Sequence, residues 1–210
     1  MAAQGGPANP DYYKPPVQVS ADWANPAVVG LMGFGTTTMV AGMAIASNGG
    51  WNYVGNDPVF GMATFFGGAA QLIAGIIAMR KGEIFAGSAF MGYGSFWLAF
   101  TAFLLWYPSA TNTLHMYDVA MFMIVWTLFT LAFLVNAPKH GVGIFVVFLL
   151  LFIAFVLLSY DFWYLGGGNT VSNGLWQATG IETFIDGLVA WFVATGILTN
   201  ANYGRRVIPI

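Results

Sequence analysis

Cysteine is absent from this 210-residue chain, and charge nearly so: Lys, Arg, Asp and Glu together make 7% of it, against about 25% in ordinary soluble domains. The first absence excludes disulfides, thiolate metal sites and cysteine nucleophiles. The second leaves too little charge for a water-facing surface. The two histidines, His115 and His140, are too few and too far apart for a His-ligated metal or a haem pair. A net charge of -2 with no basic run gives no footing for nucleic acid. The sequence also has no Ser-His-Asp candidate set, no H-E-x-x-H and no phosphate loop. It therefore reads as neither an enzyme nor a protein with a metal or cofactor.

What is present is apolar: 58% of residues are hydrophobic. The expected fold is all-α, a bundle of six transmembrane helices in one compact domain. The apolar segments are 27–46, 58–79, 84–106, 117–135, 142–158 and 181–198, each near the roughly 20 residues that cross a bilayer core of about 30 Å. Barrel strands would be half as long and would alternate in polarity. Residues 1–24, with Pro7, Pro10, Pro15 and Pro16, read as a flexible tail without the basic start and short apolar core of a signal peptide. The membrane domain is expected over 25–200 and a short second tail over 201–210.

Lys14, Arg80, Lys81, Lys139, Arg205 and Arg206 all fall in the tails or in alternate connections. The other connections hold only Asp57, His115, Asp118, Asp161 and Glu182. A six-helix count alone puts every Lys and Arg on one side, and by the positive-inside rule both termini are cytoplasmic. Trp51, Tyr53, Trp106, Tyr107, Tyr117, Tyr160, Trp163, Tyr164 and Trp176 cluster toward the opposite edge as an aromatic belt. The connection 160–180, with three consecutive glycines, is expected to fold over the outer mouth as a loop.

At 25–38 the sequence N-P-A-V-V-G-L-M-G-F-G-T-T-T starts the first helix. Asn25 suits the N-cap and Pro26 the position after it. Gly30, Phe34, Thr37, Thr38 and Ala41 share one helix face, either a pore wall with one plug-like ring or a seam for close helix packing. The first three segments are glycine-rich and should pack tightest.

Intramembrane polar groups are costly unless paired or wet, so they are functional candidates. Gln71 lies mid-way along segment two, as an interhelical tie or a pore group. Thr37, Thr38, Thr101, Thr127 and Thr130 can bond their own helix backbone or offer hydroxyls to a solute. Tyr93 lies deep in segment three and needs a partner or water. Trp97, Trp126 and Trp191 suit lipid or subunit packing. Thr179 to Glu182 reads T-G-I-E, a capping box that assigns Glu182 a structural role. Asp186, one turn deeper, is a candidate for proton coupling, or else lines a wet outer vestibule. No segment interior holds a lysine or arginine. A solute crossing the bundle should be small, and neutral or an anion held by amides, hydroxyls and helix N-termini.

The signature at 25–37 resembles N-P-A-P-L-G-L-M-G-F-G of the acetate uptake transporter family, which includes bacterial succinate-acetate permeases and fungal acetate transporters. F-G-G-A-A-Q-L-I-A-G at 66–75, Y-G-S-F-W at 93–97 and Y-G-R-R-V-I-P-I at 203–210 agree in order. The likeness covers residue 24 to the C-terminus and departs at Val28 and Val29, where the family has Pro-Leu. It implies six membrane helices with inward termini, a homo-hexamer with a pore in each protomer, and carriage of acetate and in some members succinate, proton-coupled or channel-like. It further implies a constriction at Phe34, Tyr93 and Leu151, with Asn25 and Gln71 as pore-polar groups.

The expected function is thus passage of acetate or similar small carboxylates, possibly with protons, across the plasma membrane. Gln71, Asn25, Thr37 and Thr130 are the solute-binding candidates and Asp186 the proton-coupling one. A channel for urea or ammonia, and a structural or sensory membrane protein, remain open on composition alone.

Overall fold

The computed structural model describes residues 23–47, 58–106 and 114–210. Lys14, Asp57 and the belt residues Trp51, Tyr53 and Tyr107 lie outside them, as does most of the expected N-terminal tail. The described residues are helical with no strand: α1 (Ala27–Ser47), α2 (Pro58–Arg80), α3 (Ile84–Trp106), α4 (Leu114–Asn136), α5 (Val142–Gly166) and α6 (Asn173–Tyr203). Among the described residues, α1, α2, α4, α5 and α6 are long and apolar enough to cross a membrane. Helix α3 has 23 residues, a length that also suffices. This is a multi-pass helical membrane protein.

The tightest seam runs between α1 and α6, not among the first three helices as composition suggested. A Cβ on Gly35 would lie 2.6 Å from the Gly187 carbonyl oxygen, and one on Gly42 2.6 Å from that of Gly180. Four glycines from opposite ends of the sequence thus bring two backbones into contact. Helix α2 packs on α3, and α4 on α5. Between α3 and α4 the filling is aromatic: Phe96 meets Trp126 edge-on at 5.2 Å and Tyr93 meets Phe129 at 5.4 Å. Large rings hold these helices apart, so space survives inside the bundle.

Asn25 and Pro26 do what their types suggest: Asn25 Oδ1 accepts from the Ala27 amide at 2.9 Å, and Gly30 N–H closes the first turn on the Pro26 carbonyl. Helix α2 contains a π-helical turn at Phe65–Ala70. The Gln71 amide reaches back to Phe66 O, and α1 passes so close that a Cβ on Gly33 would sit 2.6 Å from that same oxygen. Such bulges concentrate at functional sites because they re-aim the side chains that follow.

Three expectations at the other end of the bundle are overturned. The long loop over 160–180 shrinks to residues 167–172, since α5 continues to Gly166 and α6 begins at Asn173. The aromatic run Tyr160 to Tyr164 keeps its helix despite lower hydropathy, and the chain turns at Gly168, with φ 76°. The capping box also fails: Ser172 is the N-cap, its hydroxyl accepting from the Leu175 amide at 3.2 Å, so Thr179 and Glu182 lie inside a helix. The connection carboxylates Asp161 and Glu182 are therefore helical as well. Of the expected belt, Tyr160, Trp163 and Tyr164 are exposed, whereas Trp176 is buried against Phe162. Trp97 is buried too and faces neither lipid nor a partner, while Trp191 is partly exposed.

Candidate functional site

Two cavities lie end to end inside the bundle. The first, about 190 Å³, sits where α1, α3 and α5 begin and α6 ends; Ala27, Phe85, Ile144 and Ile197 are among its walls. The second, about 40 Å³, lies toward the opposite ends, among Ile45, Phe100, Met123 and Phe162. Among the described residues, only Phe34, Tyr93 and Leu151 line both. All three are buried, and the Phe34 and Tyr93 rings stand 5.8 Å apart at 55°. Three apolar or aromatic side chains from α1, α3 and α5 thus form the partition between two compartments.

Tyr93 is held in place from behind. Thr130 donates to the Trp126 carbonyl at 2.8 Å, so at the 2.9 Å contact with Tyr93 it is the tyrosine hydroxyl that donates. Thr130 lines neither cavity; it orients the ring that does. Replacing Thr130 by Val leaves that hydroxyl without an acceptor and should cost about 1–3 kcal/mol of stability. The pair Thr130→Val with Tyr93→Phe should recover most of the loss. Thermal unfolding of both in detergent checks this, and equal losses in the single and double variants would dissociate the two residues.

The remaining polar candidates separate. Gln71 is fully buried, lines the first cavity, and its Oε1 has no partner among the described residues. The π-helical turn immediately before it sets that orientation. Thr37 is equally buried but lies in the α1–α2 seam, with its hydroxyl toward the Met62 carbonyl at 3.4 Å and a Cβ on Gly67 only 2.7 Å away. Thr38 lines the second cavity and donates to the Phe34 carbonyl at 2.8 Å. Asn25 is exposed at the helix start. Asp186 is buried with both carboxylate oxygens unpartnered among the described residues. It lines neither cavity. Thr183, one turn away on α6, does line the second cavity.

Residues 4–208 match the GPR1/FUN34/yaaH family. The chain belongs to that family. It is 33% identical over 189 residues to the succinate-acetate/proton symporter SatP of Escherichia coli K12, covering 89% of this chain and 95% of that protein. It is 34% identical over 218 residues to ammonia transport outward protein 2 of Saccharomyces cerevisiae, covering 99% of this chain and 72% of the yeast protein. A solved structure of the bacterial acetate channel SatP superimposes with a TM-score of 0.77 at 33% identity, covering 90% of this chain and 99% of that one. These relatives are named as a symporter, a transport protein and a channel.

This family member also carries two groups that the sequence did not single out. Asp161 is fully buried in the last turns of α5 and accepts from the Thr179 hydroxyl at 2.7 Å. Its burial follows from the helical continuation through Tyr164, and Ser172-Asn173 ahead of an apolar run was the cap signal that could have revealed it. His140 lines the first cavity and stacks on Phe85, centroids 3.8 Å apart. Weighed only as a metal ligand, it gave no sign of this.

Proposed function

We propose that this chain carries acetate and similarly small carboxylates across the plasma membrane, along a path through each protomer of a homo-hexamer. All six helices cross, both termini are cytoplasmic, and the two tails at 1–24 and 201–210 flank the membrane domain. The observation that carries this reading is the pair of cavities meeting at Phe34, Tyr93 and Leu151, in a chain of the family to which the SatP proteins belong. On this reading those side chains are the constriction, which a small solute passes largely stripped of water. Gln71 is the buried polar group that greets the solute in the first cavity. Thr130 contributes through Tyr93, Thr37 through the α1–α2 seam, and Asn25 by capping the helix that carries Phe34. Asp186 supplies the proton coupling.

The test is labelled-acetate uptake into proteoliposomes with and without an imposed pH gradient. Uptake accelerated by an inward proton gradient supports coupled transport, and gradient-independent uptake supports a channel. A second reading, a path for ammonia, draws on the named activity of the yeast relative and on cation-free segment interiors that suit a neutral solute. Vesicles permeable to ammonia but not to acetate would favour it. Vesicles permeable to neither would leave a non-transporting membrane protein.

A further inference from the structure

A third cavity, about 370 Å³, opens at the same end of the bundle as the first. Phe85 and Ser88 of α3, Phe133 and Asn136 of α4, and Lys139 and His140 of the turn after α4 line it. Phe85 and His140 also line the first cavity, and their rings are stacked with planes 18° apart. One stacked pair is therefore the wall between the inner compartment and a largely apolar side cavity, with Ile84 and Ala132 also in its walls, that carries a few polar groups. The two sides of that wall differ in chemistry. The first cavity offers no lysine or arginine, whereas the side cavity has the Lys139 ammonium, the Ser88 hydroxyl and the Asn136 amide. Asn136 commits one N–H to the Ala132 carbonyl and keeps its second. Lys139 has no carboxylate partner among the described residues, and Glu83, in the preceding α2–α3 turn, is taken up by Lys81 at 3.3 Å.

We infer that the side cavity is a binding site for a small carboxylate at the mouth of the inner cavity, with Lys139 as its charge and the Phe85–His140 stack as its door. The inference rests on the transport reading. A carboxylate that must shed water before an apolar partition gains from a stop where charge and donors replace that water. Phe85 is the fixed leaf of the door, packed edge-on against Phe133 at 5.3 Å and Phe148 at 5.4 Å. His140 is the free leaf: it is exposed and precedes Gly141, whose φ of 105° and open surroundings give the turn its pivot.

The experiment is labelled-acetate uptake in inside-out and right-side-out membrane vesicles, with wild-type flux established first. Absence of wild-type flux would end the transport reading itself. With flux present, Lys139→Gln raises the half-saturating acetate concentration about fivefold from the Lys139 face alone, the scale of one screened ion pair. Lys139→Arg restores it, and Arg205→Gln, an equal loss of charge at the same end, leaves it unmoved. An unchanged half-saturation in Lys139→Gln, or the same rise in Arg205→Gln, overturns the site. Repeating the comparison in reconstituted vesicles with and without phosphatidylglycerol separates a transported carboxylate from a lipid phosphate. A Lys139 effect confined to phosphatidylglycerol vesicles makes the occupant a headgroup and overturns the proposal.

Discussion

Phe34→Ala and Leu151→Ala should each raise labelled-acetate flux through proteoliposomes by about tenfold, and relax selectivity against larger carboxylates. Both cavities end on the same three side chains, so whatever passes between them passes Phe34, Tyr93 and Leu151. An apolar ring of this kind opposes a carboxylate by denying it water and hydrogen-bond donors. Truncating one member lets water accompany the solute, and a barrier lowered by about 1.4 kcal/mol is a tenfold rate. The cost to folding is smaller than for a sealed core position, because one side of each residue already faces empty space. Gel filtration in detergent verifies that the variants assemble. Flux indistinguishable from wild type in both variants would reduce the three residues to packing and move the barrier elsewhere.

Much of this arrangement was legible in the sequence, for reasons that differ by residue. Helix ends were readable where chemistry marks them: Asn25-Pro26 starts α1, and the Lys81-Gly82-Glu83 turn separates α2 from α3. Phe34 stood out because it is the one large ring on a face of small and hydroxyl-bearing residues. Leu151 could not be singled out by physics in a helix of large apolar residues; only the family resemblance picked it out. The end of α5 and the start of α6 were misplaced because hydropathy is low there while the helices continue, so Asp161 was read as a loop group and Glu182 as a capping residue at a helix start. The α1–α6 seam joins residues more than 130 positions apart, a pairing that glycine content alone cannot assign. The π-helical turn that directs Gln71 has no periodicity of its own to read. His140 shows the same limit, since its role comes from Phe85 on another helix.

Asp186→Asn should flatten the pH profile of acetate uptake while the protein still folds and carries some acetate. The substitution keeps size and hydrogen-bonding shape but removes the only proton-exchanging function at that position. On the coupled reading, wild-type uptake should rise as the outer solution becomes more acidic, because more carriers would take a proton from that side. The side chain is buried with no partner for either oxygen among the described residues, so no ion pair or hydrogen bond accounts for its charge. It lies one turn from Thr183 on the second cavity's wall, and Glu182 stands four residues before it. That neighbour provides the comparison that separates coupling from general electrostatics. Two carboxylates this close influence each other's ionisation, so Glu182→Gln should shift the profile along the pH axis without flattening it. A profile unaltered in Asp186→Asn removes Asp186 from the mechanism. Flattening by Glu182→Gln alone would transfer the role to Glu182.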